Sequence, residues 1–209
     1  MTETLAQRAY ARIKQDLLEG FIAPDTVLSE RALAAQSGIS RTPLRSALSR
    51  LEREGVIARL ENGAILVRSV SVEHLLEIVQ LRQALESAAA GRAAQAGTTP
   101  ELVAIRDVMA EYADGRSTAF DEFWAEDDRF HDAVARAAGL RLLPEILTEQ
   151  RATARRCTIT RTHDRFADQA REHIAVIDAI ARGDATAAGA AMALHFDNVR
   201  ARFLGWLGR

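Results

Sequence analysis

Cysteine is almost absent. Cys157 is the only one among 209 residues, so no disulfide can form within the chain, and a single cysteine of this kind is expected to be a packed side chain. No apolar run approaches the roughly 18 residues of a membrane span, and the opening segment MTETLAQRAYARIKQ has no secretory-signal core. A reducing, cytoplasmic location is the expectation. Lysine is also missing apart from Lys14, a bias toward arginine expected from genomic base composition rather than from function. Beyond Ser71 there is no convincing strand alternation, which points away from a sheet-based C-terminal half.

Charge is nearly balanced but unevenly spread. Residues 1–70 hold ten Arg or Lys against eight Asp or Glu, and residues 71–209 hold 17 against 21, within a formal net charge of −2. The acidic C-terminal part is therefore not the partner of a polyanion. In the N-terminal part, attraction for phosphates must come from local clustering of Arg41, Arg45, Arg50 and Arg53.

The segment SERALAAQSGISRTPLRSALSRLEREGVIARLENG, Ser29 to Gly63, carries the most information. Ser29 is suited to cap a short helix, which Gly38 stops. Ser40 is the expected N-cap of a second helix, with Pro43 in its first turn, where a missing N–H costs little. Leu44, Ala47, Leu48 and Leu51 recur at helical spacing and are expected to pack inward. Arg41, Thr42 and Arg45 project from the other side, at the end of a recognition helix that meets base edges in a major groove. An arginine fork can donate two parallel hydrogen bonds to guanine O6 and N7, and a threonine can bond a phosphate or touch a thymine methyl. The helix ends by Gly55. Apolar runs at 56–60 and 64–67 flank Glu61-Asn62-Gly63, a strong hairpin signal. A hairpin directly after such a helix reads as a wing.

Ser40-Arg41-Thr42-Pro43-Leu44-Arg45-Ser46-Ala47-Leu48 resembles the "SRTPVREAL" recognition segment of the GntR-type transcription regulators. That resemblance implies DNA contacts from Arg31, Arg41, Thr42 and Arg45, and a wing tip at Gly63. Two positions depart from the family pattern: Asp25 stands where a glycine usually follows the proline (Pro24), and Asn62 replaces a common basic wing residue.

After a junction at Ser69-Val70-Ser71, six helices are expected: 72–96, 99–113, 118–137, 143–160, 166–182 and 184–204, with Asp184 capping the last. Helices of this length form a bundle. The fold class is thus mainly α: a winged helix-turn-helix over 1–70, then a helical domain of six to seven helices over 71–209.

Within that bundle Asp127 and His131, four residues apart, share a helix face. His173 falls on a face with Ala170, Ile177 and Ile180, and His195 on one with Ala188, Met192 and Val199. Three inward histidines and one carboxylate can converge on a divalent transition metal, since neutral imidazole and carboxylate suit zinc foremost, and also nickel, manganese or iron. His74 and His163 have no such pairing and are expected on a helix surface and in a loop. Here too the chain resembles its family, in the branch with the FCD domain (the FadR C-terminal domain), which has Asp-x-x-x-His on one helix and a histidine on each of the last two. The resemblance makes Asp128 a neighbour rather than a ligand.

Four protein ligands on an octahedral metal leave two positions for water or a small acid. A carboxylate metabolite is the expected effector, with cations beside it. The resemblance turns Arg82 toward the cavity, whereas a salt bridge with Glu86 is the alternative; Arg156 or Arg161 can reach in from the fourth helix or its loop. Together these features imply a non-enzymatic, sequence-specific DNA-binding regulator. It is expected to be a homodimeric repressor on a pseudo-palindromic operator, with DNA affinity controlled by the effector. The alternatives are a metal-responsive regulator and a metal-dependent enzyme acting on small acids.

Overall fold

The computed structural model describes residues 4–18, 21–157 and 165–207. The chain divides into two compact units, residues 1–71 with 155–158, and residues 72–154 with 159–209. None of the described helices is long and apolar enough to cross a membrane.

The first unit contains α1 (Leu5–Leu18), β1 (Val27–Leu28), α2 (Glu30–Ser37), α3 (Arg41–Arg53), β2 (Ile57–Arg59) and β3 (Ile65–Val67). Ser29 caps α2 by accepting a hydrogen bond from the Ala32 N–H, and Gly38 closes it in the left-handed conformation. Ser40 precedes α3 in an extended conformation but makes no side-chain cap bond. Leu44, Ala47, Leu48 and Leu51 are the buried face of α3, and with Ile13, Leu33, Ile57 and Ile65 they form one core. Burying a side chain of this size contributes about 1.5 to 3 kcal/mol.

The β2–β3 hairpin closes through Glu61-Asn62-Gly63. The Gly63 N–H donates to the Leu60 carbonyl at 2.8 Å, Gly63 lies at φ 78°, and Asn62 Oδ1 accepts from the Ala64 N–H. A turn followed by a left-handed glycine is a common solution for a three-residue hairpin loop. One strand was not anticipated: β1 pairs antiparallel with β3, giving the order β1-β3-β2. Its two residues are too few for alternation to register. The turn that leads into it holds Asp25 at φ 61°, alone among described non-glycine residues in having positive φ.

The second unit is α4 (Val72–Ala96), α5 (Pro100–Ala113), α6 (Phe120–Ala137), α7 (Leu143–Ala154), α8 (Phe166–Ala181) and α9 (Ala185–Leu207). Thr99 caps α5, with Pro100 in its first turn, and the Asp184 carboxylate accepts from the Ala187 N–H at the start of α9. The expected helix over 143–160 is shorter: α7 ends at Ala154, residues 155–157 form a turn and a bend and group with the first unit, and residues 158–160 lie outside the described residues. Small residues let α4 and α9 approach closely. A Cβ on Gly91 would meet the Ala185 carbonyl oxygen at 3.2 Å, and one on Gly189 would meet that of Ser87 at 3.2 Å. This contact, with α8 packed on α9 and α6 on α4, brings four helix faces around one point.

Candidate metal centre and nucleic-acid interface

Asp127 and His131 on α6, His173 on α8 and His195 on α9 are all buried, and one potential ligand atom from each lies within 4.8 Å of the others. Asp127 Oδ1 is 3.4 Å from His173 Nε2 and 3.7 Å from His131 Nε2. Both ring nitrogens of His173 are buried without a hydrogen-bond partner among the described residues. Its ring stacks on Phe130, with centroids 4.0 Å apart. An imidazole sealed in this way leaves a costly orphan acceptor unless something else fills its lone pair. The donor set, three imidazoles and a carboxylate, fits a divalent transition metal.

The neighbouring shell sets the tautomers. His131 Nδ1 is hydrogen-bonded to Glu86 on α4, and His195 Nδ1 to Glu172 on α8 at 2.9 Å. Each Nε2 is thereby left for a ligand role, the arrangement that orients metal-bound histidines. Glu86 accepts from Arg82 Nε at 2.8 Å. Glu172 is gripped by both terminal nitrogens of Arg202, at 2.8 and 2.9 Å, and by Asn198. Gln169 donates to Asp127.

Charge follows from these contacts. Burial by itself would push Glu86 up, but Arg82 and His131 hold it at about 2. Burial would likewise raise Glu172, and Arg202 and His195 hold it at about 2. Burial also opposes charge on Asp127, yet His131 and His173 keep it well below the ordinary carboxylate range. Burial, then the neighbouring His195, pushes His173 well below the usual histidine value. Burial lowers His195 as well, against Glu172. His131 goes the other way: burial opposes its charge, but Glu86 and Asp127 together raise it.

A cavity of about 40 Å³ is lined by three of the four, Asp127, His131 and His195, with Arg82, Trp124 and Gln169 among others. Arg82 does both things considered for it. Its Nε pairs with Glu86 while its buried Nη2 has no hydrogen-bond partner among the described residues. Arg156 is not among the lining residues and falls in the other unit; Arg161 and His163 lie outside the described residues. Sequence reasoning missed Arg151, which is buried 2.9 Å from Asp128 Oδ1 and has an Nη1 without a hydrogen-bond partner among the described residues. Burial and then the charge of Arg82 lower its pKa. Glu172 was also missed as a partner of His195. Glu172 stands directly before His173 on α8, but its partner His195 is on α9, a pairing that no spacing along the chain displays. Glu86 was readable as Arg82's partner, but its hold on His131 was not.

In the first unit, Arg31, Arg41, Thr42 and Arg45 are exposed, as is Gly63 at the wing tip. Among the described residues Arg31 and Arg41 form no ion pair, whereas Arg45 Nε meets Glu30 at 3.0 Å.

Comparison with known proteins matches both halves. Residues 5–67 fit the family described as "Bacterial regulatory proteins, gntR family", and residues 77–198 fit the FCD domain. The Nta operon transcriptional regulator of Aminobacter aminovorans is 31% identical over 182 residues, covering 84% of this chain and 85% of its own. The HTH-type transcriptional repressor RspR of Escherichia coli (strain K12) is 25% identical over 202 residues, 95% of this chain and 88% of its own. Among solved structures, E. coli McbR/YncC has a TM-score of 0.77 at 19% identity, covering 99% of this chain and 100% of that one. A GntR regulator from Rhodococcus sp. RHA1 reaches 0.71 at 22% identity, covering 96% and 97%. These two share the fold.

Proposed function

Because the chain belongs to the GntR family of bacterial transcription regulators, with an FCD domain behind its winged helix, we propose that it is a metabolite-responsive repressor. In this reading a small carboxylate, bound at a metal in the C-terminal bundle, controls its affinity for operator DNA. It is a regulator and not an enzyme, as its relatives and structural neighbours are.

Arg41, Thr42 and Arg45 at the start of α3 are the base readers, and Arg31 contributes from α2. A left-handed Gly63 lets the wing backbone come close to the duplex. Regulators of this family bind operators and typically act as dimers. A homodimer sets two recognition helices in successive major grooves of a pseudo-palindrome. The name of the E. coli relative supports repression.

One observation carries the effector half: four ligand groups converge, and neither ring nitrogen of His173 has a hydrogen-bond partner among the described residues. Asp127, His131, His173 and His195 would hold the metal, with zinc first in order of fit. Bound there, a divalent metal supplies a positive anchor for a carboxylate. Glu86 and Glu172 fix the two imidazoles they touch, and Arg82 Nη2, which has no hydrogen-bond partner among the described residues, supports an anionic ligand in the adjoining cavity. Effector binding changes operator affinity only as far as it prefers one arrangement of the dimer.

The test is operator binding in chelator, in metal, and in metal with a panel of small acids. One acid, with metal, is expected to weaken operator binding about 5- to 150-fold; chelator or His173→Ala should abolish that response. A metal effect that no acid alters would make the protein a metal sensor and defeat the metabolite reading. Chelation that lowers Tm but leaves an acid response intact would reduce the metal to a structural role.

A further inference from the structure

Glu30 is the first residue of α2, and its carboxylate is shared by arginines from two other elements. Oε2 accepts from Arg45 Nε on α3 at 3.0 Å, and Oε1 accepts from Arg59 Nη1 on β2 at 2.8 Å. The Arg45 side chain is 69% exposed and that of Arg59 36%. Ion pairs this open to water contribute little to stability. Their consequence lies in where they hold the guanidinium.

An untethered arginine at a DNA surface has many phosphates to choose from, and each such contact is indifferent to sequence. Arg45 is tethered by Nε alone. Its Nη1 and Nη2, with no partner among the described residues, present the two parallel donors that match guanine O6 and N7. Glu30 is in turn fixed from the opposite side by Arg59, so it does not simply follow Arg45. Its negative charge also repels phosphates from this corner of the interface. Among the described residues Arg31 and Arg41 have no comparable tether.

We propose that Glu30 is a positioning residue for base readout: anchored by Arg59, it holds Arg45 by Nε so that the outer edge of the guanidinium addresses one base pair instead of the backbone. The proposal rests on Arg45 being a base reader, and the test separates the two. Full-length parent, Arg45→Ala and Glu30→Gln are each used to select duplexes from a randomised library. Binding to the parent's selected site and to a scrambled duplex is then measured at several salt concentrations.

Arg45→Ala identifies the base pair that Arg45 reads. Glu30→Gln is expected to lose preference at that same position and not elsewhere. Its preference for the selected site over the scrambled duplex should fall about tenfold or more, with tighter scrambled-duplex binding and a steeper salt dependence. A folded Glu30→Gln protein that selects the parent motif with full preference at that position overturns the proposal. An unchanged motif from Arg45→Ala overturns both the proposal and the reading beneath it. Should Glu30→Gln lose its melting transition, Arg59→Met carries the test. The same position-specific loss upholds the anchor, and an unaltered motif overturns it.

Discussion

Burial drives His173 and His195 toward the neutral imidazole, while Glu86 favours a proton on His131. Each state has a consequence for metal binding. Neutral His173 and His195 offer their lone pairs at pH 7 without first losing a proton. His131, raised above its ordinary 6.5, stays protonated below its own pKa and must release that proton before Nε2 can ligate. Metal affinity is therefore expected to rise with pH, by about tenfold per unit below the His131 pKa, and to level off above it. Competition with a chromophoric chelator across pH 5.5 to 8.5 checks this, and a flat profile would show that His131 carries no proton to lose. At this scale the Asp-x-x-x-His spacing was legible because both residues sit on one helix. The carboxylates that orient the rings were not, since Glu86 and Glu172 reach their histidines across helix boundaries.

Elements depend on single backbone positions, and Asp25 is the clearest. It occupies a left-handed conformation in the turn before β1. There its N–H donates to the Val67 carbonyl at 2.8 Å, and its carboxylate accepts from the Ser69 hydroxyl. The glycine usual at this place in the family has no Cβ to oppose that conformation, and Asp is among the few other residues that tolerate it. Asp25→Val is expected to destabilise the winged-helix unit by about 1 to 3 kcal/mol, while Asp25→Gly should keep the fold. Chemical unfolding followed by circular dichroism measures both, and equal midpoints for the valine variant and the parent would contradict the account. The helices that carry strong start or stop signals, at Ser29, Gly38, Thr99-Pro100 and Asp184, were legible nearly to those ends, whereas α7 stops at Ala154, short of the expected 160. Strand β1 was not legible, since it exists only by pairing with β3.

At the scale of the whole molecule, the proposed base-reading helix α3 lies within residues 1–70, which carry only a small excess of positive charge. The larger part of the chain is acidic. Under the proposed reading, one copy is a weak DNA ligand and pairing of two copies supplies affinity for a two-half operator. Cutting the operator to a single half-site is expected to weaken binding by roughly 100-fold or more, measured by titration at fixed salt. Equal affinity for half and whole sites would show that the copies do not bind together.

Residue order alone determined the capped helix starts, the arginine-led segment and the choice of the four candidate ligands. Those features are written in local spacing, caps and one-face periodicity, which survive without knowledge of neighbours. Only the tertiary structure decided what those residues meet. Packing of α4 against α6 put Glu86 on His131, packing of α8 against α9 put Glu172 on His195, and His173 was left without a hydrogen-bond partner among the described residues. The fold of the first unit put Glu30 between Arg45 and Arg59. Such contacts join residues 15 to 45 positions apart, beyond the reach of any periodicity, and they set the protonation and orientation on which both sites depend.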